Sequence, residues 1–156
     1  SLIEKIKPQE LASMLVENAD EPHATILASA LAGKSFTSTL QLADAIRAGL
    51  PATLKRDEAD LAVRRVFQAL RIAVNDEFSA LETFLRNLPA CLKPGGRVAI
   101  LTFHSGEDRR VKKAFQAGQR NGIYEEVARD VLRPNAEELH SNPRSTPAKL
   151  RWARMA

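Results

Sequence analysis

Phe103-His104-Ser105-Gly106-Glu107-Asp108-Arg109 is the densest set of chemistry-bearing side chains in this sequence. It brings together an imidazole, a hydroxyl, two carboxylates and a guanidinium. The same residues also read as plain helix chemistry. Ser105 reads as an N-cap, with Asp108 at the third helical position completing a capping box. Glu107 and Asp108 would offset the helix dipole, and Arg109 or Arg110 would pair with them. A metal site built from His104, Glu107 and Asp108 is the weaker alternative, because neighbouring carboxylates on a helix point in different directions. No metal site is assigned. Ser105 lacks the glycine-flanked elbow of a nucleophilic serine, so no catalytic triad is indicated either.

Two further clusters accompany it. Gln68, Arg71 and Asn75 stand at i, i+3 and i+7 in an otherwise apolar helical stretch, a polar row that either faces solvent or lines a site. Asn142-Pro143-Arg144-Ser145-Thr146-Pro147-Ala148-Lys149-Leu150-Arg151 reads as a proline-stiffened loop carrying cations. Arginine offers a fork of donors to phosphate and proline lowers the cost of ordering, so the loop suits a polyanion; an ordinary surface loop has the same composition.

The elements that must position these residues follow from periodicity. Pro8 suits a first helical position and opens a helix to about Asn18; a second helix spans Pro22 to Ala32 and ends at Gly33. A third runs from a Ser38 or Thr39 cap to Gly49. From Asp57 a long helical tract carries Leu61, Val66, Phe67, Leu70 and Val74, then Phe78, Leu81, Leu85 and Leu88, with Asn75-Asp76 expected to break it. The period then changes. After the Lys93-Pro94-Gly95-Gly96 turn, Arg97 to Phe103 is a nearly continuous apolar run, expected as a strand buried on both faces. A strand followed by a capped helix is half of a βαβ unit, and the strand's carboxyl end, where His104 falls, is where ligands bind in open α/β sheets. Asn121-Gly122 turns the chain. Ile123 to Leu132 and Lys149 to Met155 are further strand candidates. The expected fold class is therefore α/β, with residues 1-56 a small helical domain and 57-156 the α/β part.

Charge divides along similar lines. The 156 residues carry 23 basic and 19 acidic groups; residues 1-60 hold 6 and 9 of these, and residues 61-156 hold 17 and 10. The basic second part favours a polyanion such as nucleic acid, although a solvated basic face has the same count. With 44% hydrophobic residues the chain can bury a core, which argues against disorder. No apolar stretch approaches the roughly 18 residues of a bilayer span and no secretory leader is evident, so a soluble, cytoplasmic protein is expected. The single cysteine, Cys91, is expected to be buried and without a role. The chain opens on Ser1 and not on methionine, which reads as a processing boundary.

The three clusters, in this order, resemble one family: the MraW (RsmH) type S-adenosylmethionine-dependent methyltransferases, which act on N4 of a cytosine in small-subunit ribosomal RNA. Phe67 to Glu77 (FQALRIAVNDE) is similar to that family's segment almost letter for letter, Phe103 to Arg109 (FHSGEDR) to its FHSLEDR, and Asn142 to Arg151 (NPRSTPAKLR) to its NPRSRSAKLR. Gly106 stands where the family has leucine, Thr146-Pro147 where it has Arg-Ser, and Leu61-Ala62 where it has His-Pro. The family's glycine-rich cofactor loop, its acidic ribose-binding residue and its catalytic D-x-x-x-x-S segment are absent from these residues. The resemblance thus implies a helical insertion domain followed by the C-terminal half of a Rossmann-like methyltransferase fold. It implies S-adenosylmethionine as cofactor, ribosomal RNA as partner, and a homodimer or the missing N-terminal half as a further partner for the strand at Arg97. It also implies that His104 and Ser105 line the base pocket, with Phe103 beside them and Gln68, Arg71 and Asn75 supporting the wall. Arg109, Asn142, Arg144, Ser145 and Lys149 would contact RNA or fix the loop. A non-catalytic RNA- or protein-binding module derived from the family is the alternative.

Overall fold

A computed structural model describes residues 1–156, which divide into two compact units, Ser1–Asp76 and Glu77–Ala156. The first is all helical: α1 (Leu2–Lys5), α2 (Pro8–Ala19), α3 (Ala24–Leu31), α4 (Thr39–Gly49) and α5 (Arg56–Asn75). Their boundaries follow local chemistry. Pro8 occupies the first turn of α2, and the Ser38 side chain accepts from the Gln41 amide to start α4. Apolar stripes from each helix meet in a core of Leu11, Leu15, Leu27, Leu31, Ile46, Val66 and Ala69. The boundary between units lies twenty residues beyond the expected 56/57, because the stripe of α5 packs on α2 and α4. Asp76 takes the left-handed conformation, φ 52°, at the expected Asn75-Asp76 break.

The second unit holds α6 (Glu77–Asn87), a 3-10 turn (Leu88–Cys91), β1 (Arg97–Thr102), α7 (Ser105–Arg120), β2 (Tyr124–Val127), α8 (Ala136–Ser141), a 3-10 turn (Pro143–Ser145) and β3 (Lys149–Met155). The sheet order is β1-β3-β2, and both pairings are antiparallel. β1 and β2 therefore run parallel to one another around α7, with β3 inserted between them. The core is Leu85, Leu88, Val111, Phe115, Tyr124 and Ala153.

Two expectations are corrected here. β1 is an edge strand with one open face: Val98 and Ile100 pack on the core, while Arg97, Ala99 and Leu101 are exposed, Leu101 at 53%. Its unbroken apolar run reflects two faces of which this unit covers only one. Cys91 is exposed, because it closes a tight turn and not a packed helix; its Sγ lies 3.7 Å from the Asn87 carbonyl.

Candidate functional site

The carboxyl end of β1 delivers Phe103, His104 and Ser105 directly into α7. His104 is the N-cap, its Nδ1 accepting from the Glu107 amide at 3.4 Å, while Glu107 Oε2 accepts from the Phe103 amide at 3.0 Å. The expected cap of Ser105 with Asp108 is thereby corrected. Ser105 is the first helical residue, one position too late to cap, and Asp108 faces a different partner. Glu107 Oε1 approaches His104 Nε2 to 3.3 Å but off the line of an N–H bond, so Nε2 is buried without an aligned partner. The neighbouring imidazole holds the Glu107 carboxyl below its usual range; burial opposes this and the Phe103 amide adds to it. The Phe103 ring itself is 52% exposed.

Behind the cap, Phe78 lies 5.8 Å from the His104 ring and beneath the Arg110 guanidinium, which sits 3.5 Å above its centroid. Arg110 also donates to Glu82 Oε1 at 2.9 Å and to the Gly106 carbonyl at 3.2 Å. A Cβ placed on Gly106 would meet Phe78 Cζ at 2.6 Å, so the aromatic ring fills the space that a leucine would need.

The strand-end cluster and the Asn142–Arg151 segment meet at one end of the sheet. Thr102 pairs with Lys149 in the register, and Thr102 Oγ1 donates to the Lys149 carbonyl at 3.2 Å. Asp108 then ties α7 to β3. Its Oδ1 accepts from Arg151 Nε at 2.7 Å and its Oδ2 from Arg151 NH2 at 3.2 Å, with Lys149 Nζ at 3.6 Å. Asp108 and Arg151 are both buried. Burial raises the Asp108 carboxyl, and the hydrogen bonds and charge of Arg151, reinforced by Lys149, outweigh it, so the carboxyl titrates below its usual range. Lys149 thus fastens the framework. With the Asp108 carboxylate turned to these cations, His104, Glu107 and Asp108 do not converge on one point, and no group of three such ligands is placed to hold a metal ion.

Upstream, the expected loop is α8 followed by the 3-10 turn. Ser145 N donates to the Asn142 carbonyl at 2.9 Å, and Thr146 Oγ1 to the Pro143 carbonyl at 2.7 Å. Thr146 therefore stiffens the turn from within. Asn142 and Arg144 are exposed, Arg144 makes no ion pair, and Ser145 is buried with its Oγ unpartnered. Arg109 is exposed on the first turn of α7.

Gln68, Arg71 and Asn75 lie in the helical unit on α5. Gln68 Nε2 donates to the Asn18 carbonyl at 3.2 Å and Asn18 Nδ2 to the Ala69 carbonyl at 3.2 Å, a reciprocal lock of α5 on α2. Arg71 and Asn75 are exposed and each engages a partner.

A sequence model of the MraW methylase family matches residues 1–156. The chain belongs to the MraW methylase family. The resemblance read from the three clusters is borne out. "Ribosomal RNA small subunit methyltransferase H 2" of Alkaliphilus metalliredigens (strain QYMF) is 48% identical over 159 residues, covering 97% of this chain and 46% of the relative. "Ribosomal RNA small subunit methyltransferase H 1" of Agathobacter rectalis is 45% identical over the same length, with 97% and 46% covered. The protein of that name from Lachnoclostridium phytofermentans is 48% identical over 160 residues, with 97% and 43% covered. The chain spans about half the length of the curated relatives it matches.

Membership of a methyltransferase family implies S-adenosylmethionine as cofactor. The glycine after the strand, Gly106, is closed by Phe78, and Gly95-Gly96 turns the chain before β1 and not after it. The Asp108–Arg151 pair is not among the sequence expectations. A signal was present in the arginine standing amid the apolar alternation of β3, where a buried charge demands a partner.

Proposed function

We propose that this chain is the RNA-facing, C-terminal portion of a methyltransferase that transfers a methyl group from S-adenosylmethionine to the N4 amine of a cytosine in small-subunit ribosomal RNA. One observation carries this. Two buried polar atoms without aligned partners, His104 Nε2 and Ser145 Oγ, belong to the two segments that the β1–β3 register brings to one end of the sheet. Buried polar atoms of this kind call for a partner, and a base edge with its donors and acceptors is one.

The exocyclic amine is a weak nucleophile, so the task of these residues is positioning. His104, fixed by its own capping bond, would hold the base edge, with Ser105 beside it. The exposed Phe103 ring offers a face on which an unstacked base can lie, and Arg144, exposed and without an ion pair, would take a neighbouring phosphate with Asn142. Arg71 and Asn75, on a helix that Gln68 locks onto α2, would be RNA-contacting residues of the helical unit. Arg109 would add a phosphate contact. With Gly106 closed by Phe78, the methyl donor is assigned to residues outside this stretch. The open edge and face of β1 would pair with that part or with a second copy of the chain.

The test is substitution of His104 or Arg144 by alanine in the enzyme that contains this chain together with its cofactor-binding part. A large loss of methylation with unchanged folding is expected; methylation at the parental rate overturns the assignment. The closure of Gly106 by Phe78 favours a second reading, a non-catalytic RNA-binding module. Methylation by the assembled enzyme would dismiss it.

A further inference from the structure

Away from the end of β1, α6 and α7 leave between them a groove of about 430 Å³. Sites for small organic groups run roughly from 300 to 1,000 Å³. Its floor is apolar, from Leu85, Pro89, Ala117 and Ile123, with the edge of Tyr124. Its rim is cationic. Arg86 and Lys113 stand on the two walls, both exposed and neither in an ion pair, whereas the one acidic lining residue, Glu82, is held by Arg110. Uncompensated positive charge above an apolar slot matches a nucleotide, which has a flat apolar face and an anionic link on either side. The unit that carries it holds 14 basic and 9 acidic residues. An acidic peptide would satisfy the rim but would not need a slot with an uninterrupted apolar floor.

We propose that this groove is a second RNA contact, seating one unstacked nucleotide of single-stranded RNA with its base on the apolar floor and its phosphate between Arg86 and Lys113. This rests on the proposed RNA-binding function, which it extends to a place that function does not use. Arg110 joins the two regions, since it lines the groove and also contacts Phe78 and the Gly106 carbonyl behind the His104 cap.

The test measures the affinity of the whole chain for a short single-stranded ribo-oligonucleotide of mixed sequence, across about 50 to 200 mM salt, with light scattering on the same samples. Three variants are compared with the parent: the double substitution Arg86→Glu with Lys113→Glu, the groove-filling Ala117→Phe, and Arg144→Ala at the other region. Loss of the one phosphate seated between Arg86 and Lys113 flattens the log–log salt slope by about 0.7, the value per phosphate on single strands. Filling the floor weakens binding about five-fold or more at unchanged slope, as expected for one lost base contact. Circular dichroism confirms that each variant is folded. If the parent binds and Arg144→Ala weakens it while both groove variants bind as the parent does, the groove assignment is overturned and the RNA function stands. If the parent binds no RNA, both fall. If the groove variants change only self-association, the groove is a contact between copies and the nucleotide assignment is overturned.

Discussion

Removing the Asp108 carboxylate strikes the joint on which the strand-end geometry depends. Asp108 accepts two hydrogen bonds from Arg151, at 2.7 and 3.2 Å, and neighbours Lys149 at 3.6 Å. Asp108→Ala leaves Arg151, only 8% exposed, as a charge without its partner. Truncating one member of a buried pair costs about 3–5 kcal/mol. The lower end applies here, because Asp108 and Arg151 keep 9% and 8% exposure and are not fully enclosed, so a loss of about 3 kcal/mol is expected. Replacing both members, Asp108→Ala with Arg151→Met, removes the stranded charge and restores much of that loss, since apolar substitutes for a buried pair are often neutral. The only tryptophan, Trp152, stands beside Arg151 in β3, so urea unfolding followed by its fluorescence reports on this unit. A loss under about 1 kcal/mol for Asp108→Ala would refute the reasoning. So would a double variant as unstable as the two single losses added.

Gly106→Leu drives a side chain into Phe78, whose Cζ lies 2.6 Å from the added Cβ; it should cost about 1–3 kcal/mol by Trp152 fluorescence, and Phe78→Ala should relieve it. Asp108 and Glu107 both titrate below their usual range when folded, so their stabilisation is complete above the unfolded values near 4 and is lost as pH falls through the folded ones. Asp108→Asn should therefore flatten the acid side of the stability profile, and an unchanged acid side would contradict the cited cause. Asn18→Ala and Gln68→Ala each remove one bond of the α2–α5 lock and should lower stability by about 1 kcal/mol in thermal melts followed by circular dichroism.

What the sequence made legible was local. Pro8, the Ser38 cap, the break at Asn75-Asp76 and the span of β3 all follow from residue types and spacing within a few positions, and each stands where expected. Three things were decided by contacts at longer range. Asp108 reads as a capping residue until Arg151, 43 positions away, claims its carboxylate. The polar start of α7 offers two side chains able to cap, and His104 wins because its Nδ1 reaches the Glu107 amide from the position before the helix. The unit boundary was hidden because the apolar stripe runs on from α5 into α6 without a change of period, although the two helices serve different cores. The placing of β3 between β1 and β2 was likewise invisible, since nothing in a strand's own residues names its neighbours.

On the function proposed above, this chain would present an RNA-binding surface and leave the methyl donor to other residues. Calorimetric titration of the chain with S-adenosylmethionine and, separately, with single-stranded RNA tests it most directly. Salt-dependent heat with RNA and none with S-adenosylmethionine is the expected result. Stoichiometric binding of S-adenosylmethionine with no binding of RNA would contradict it.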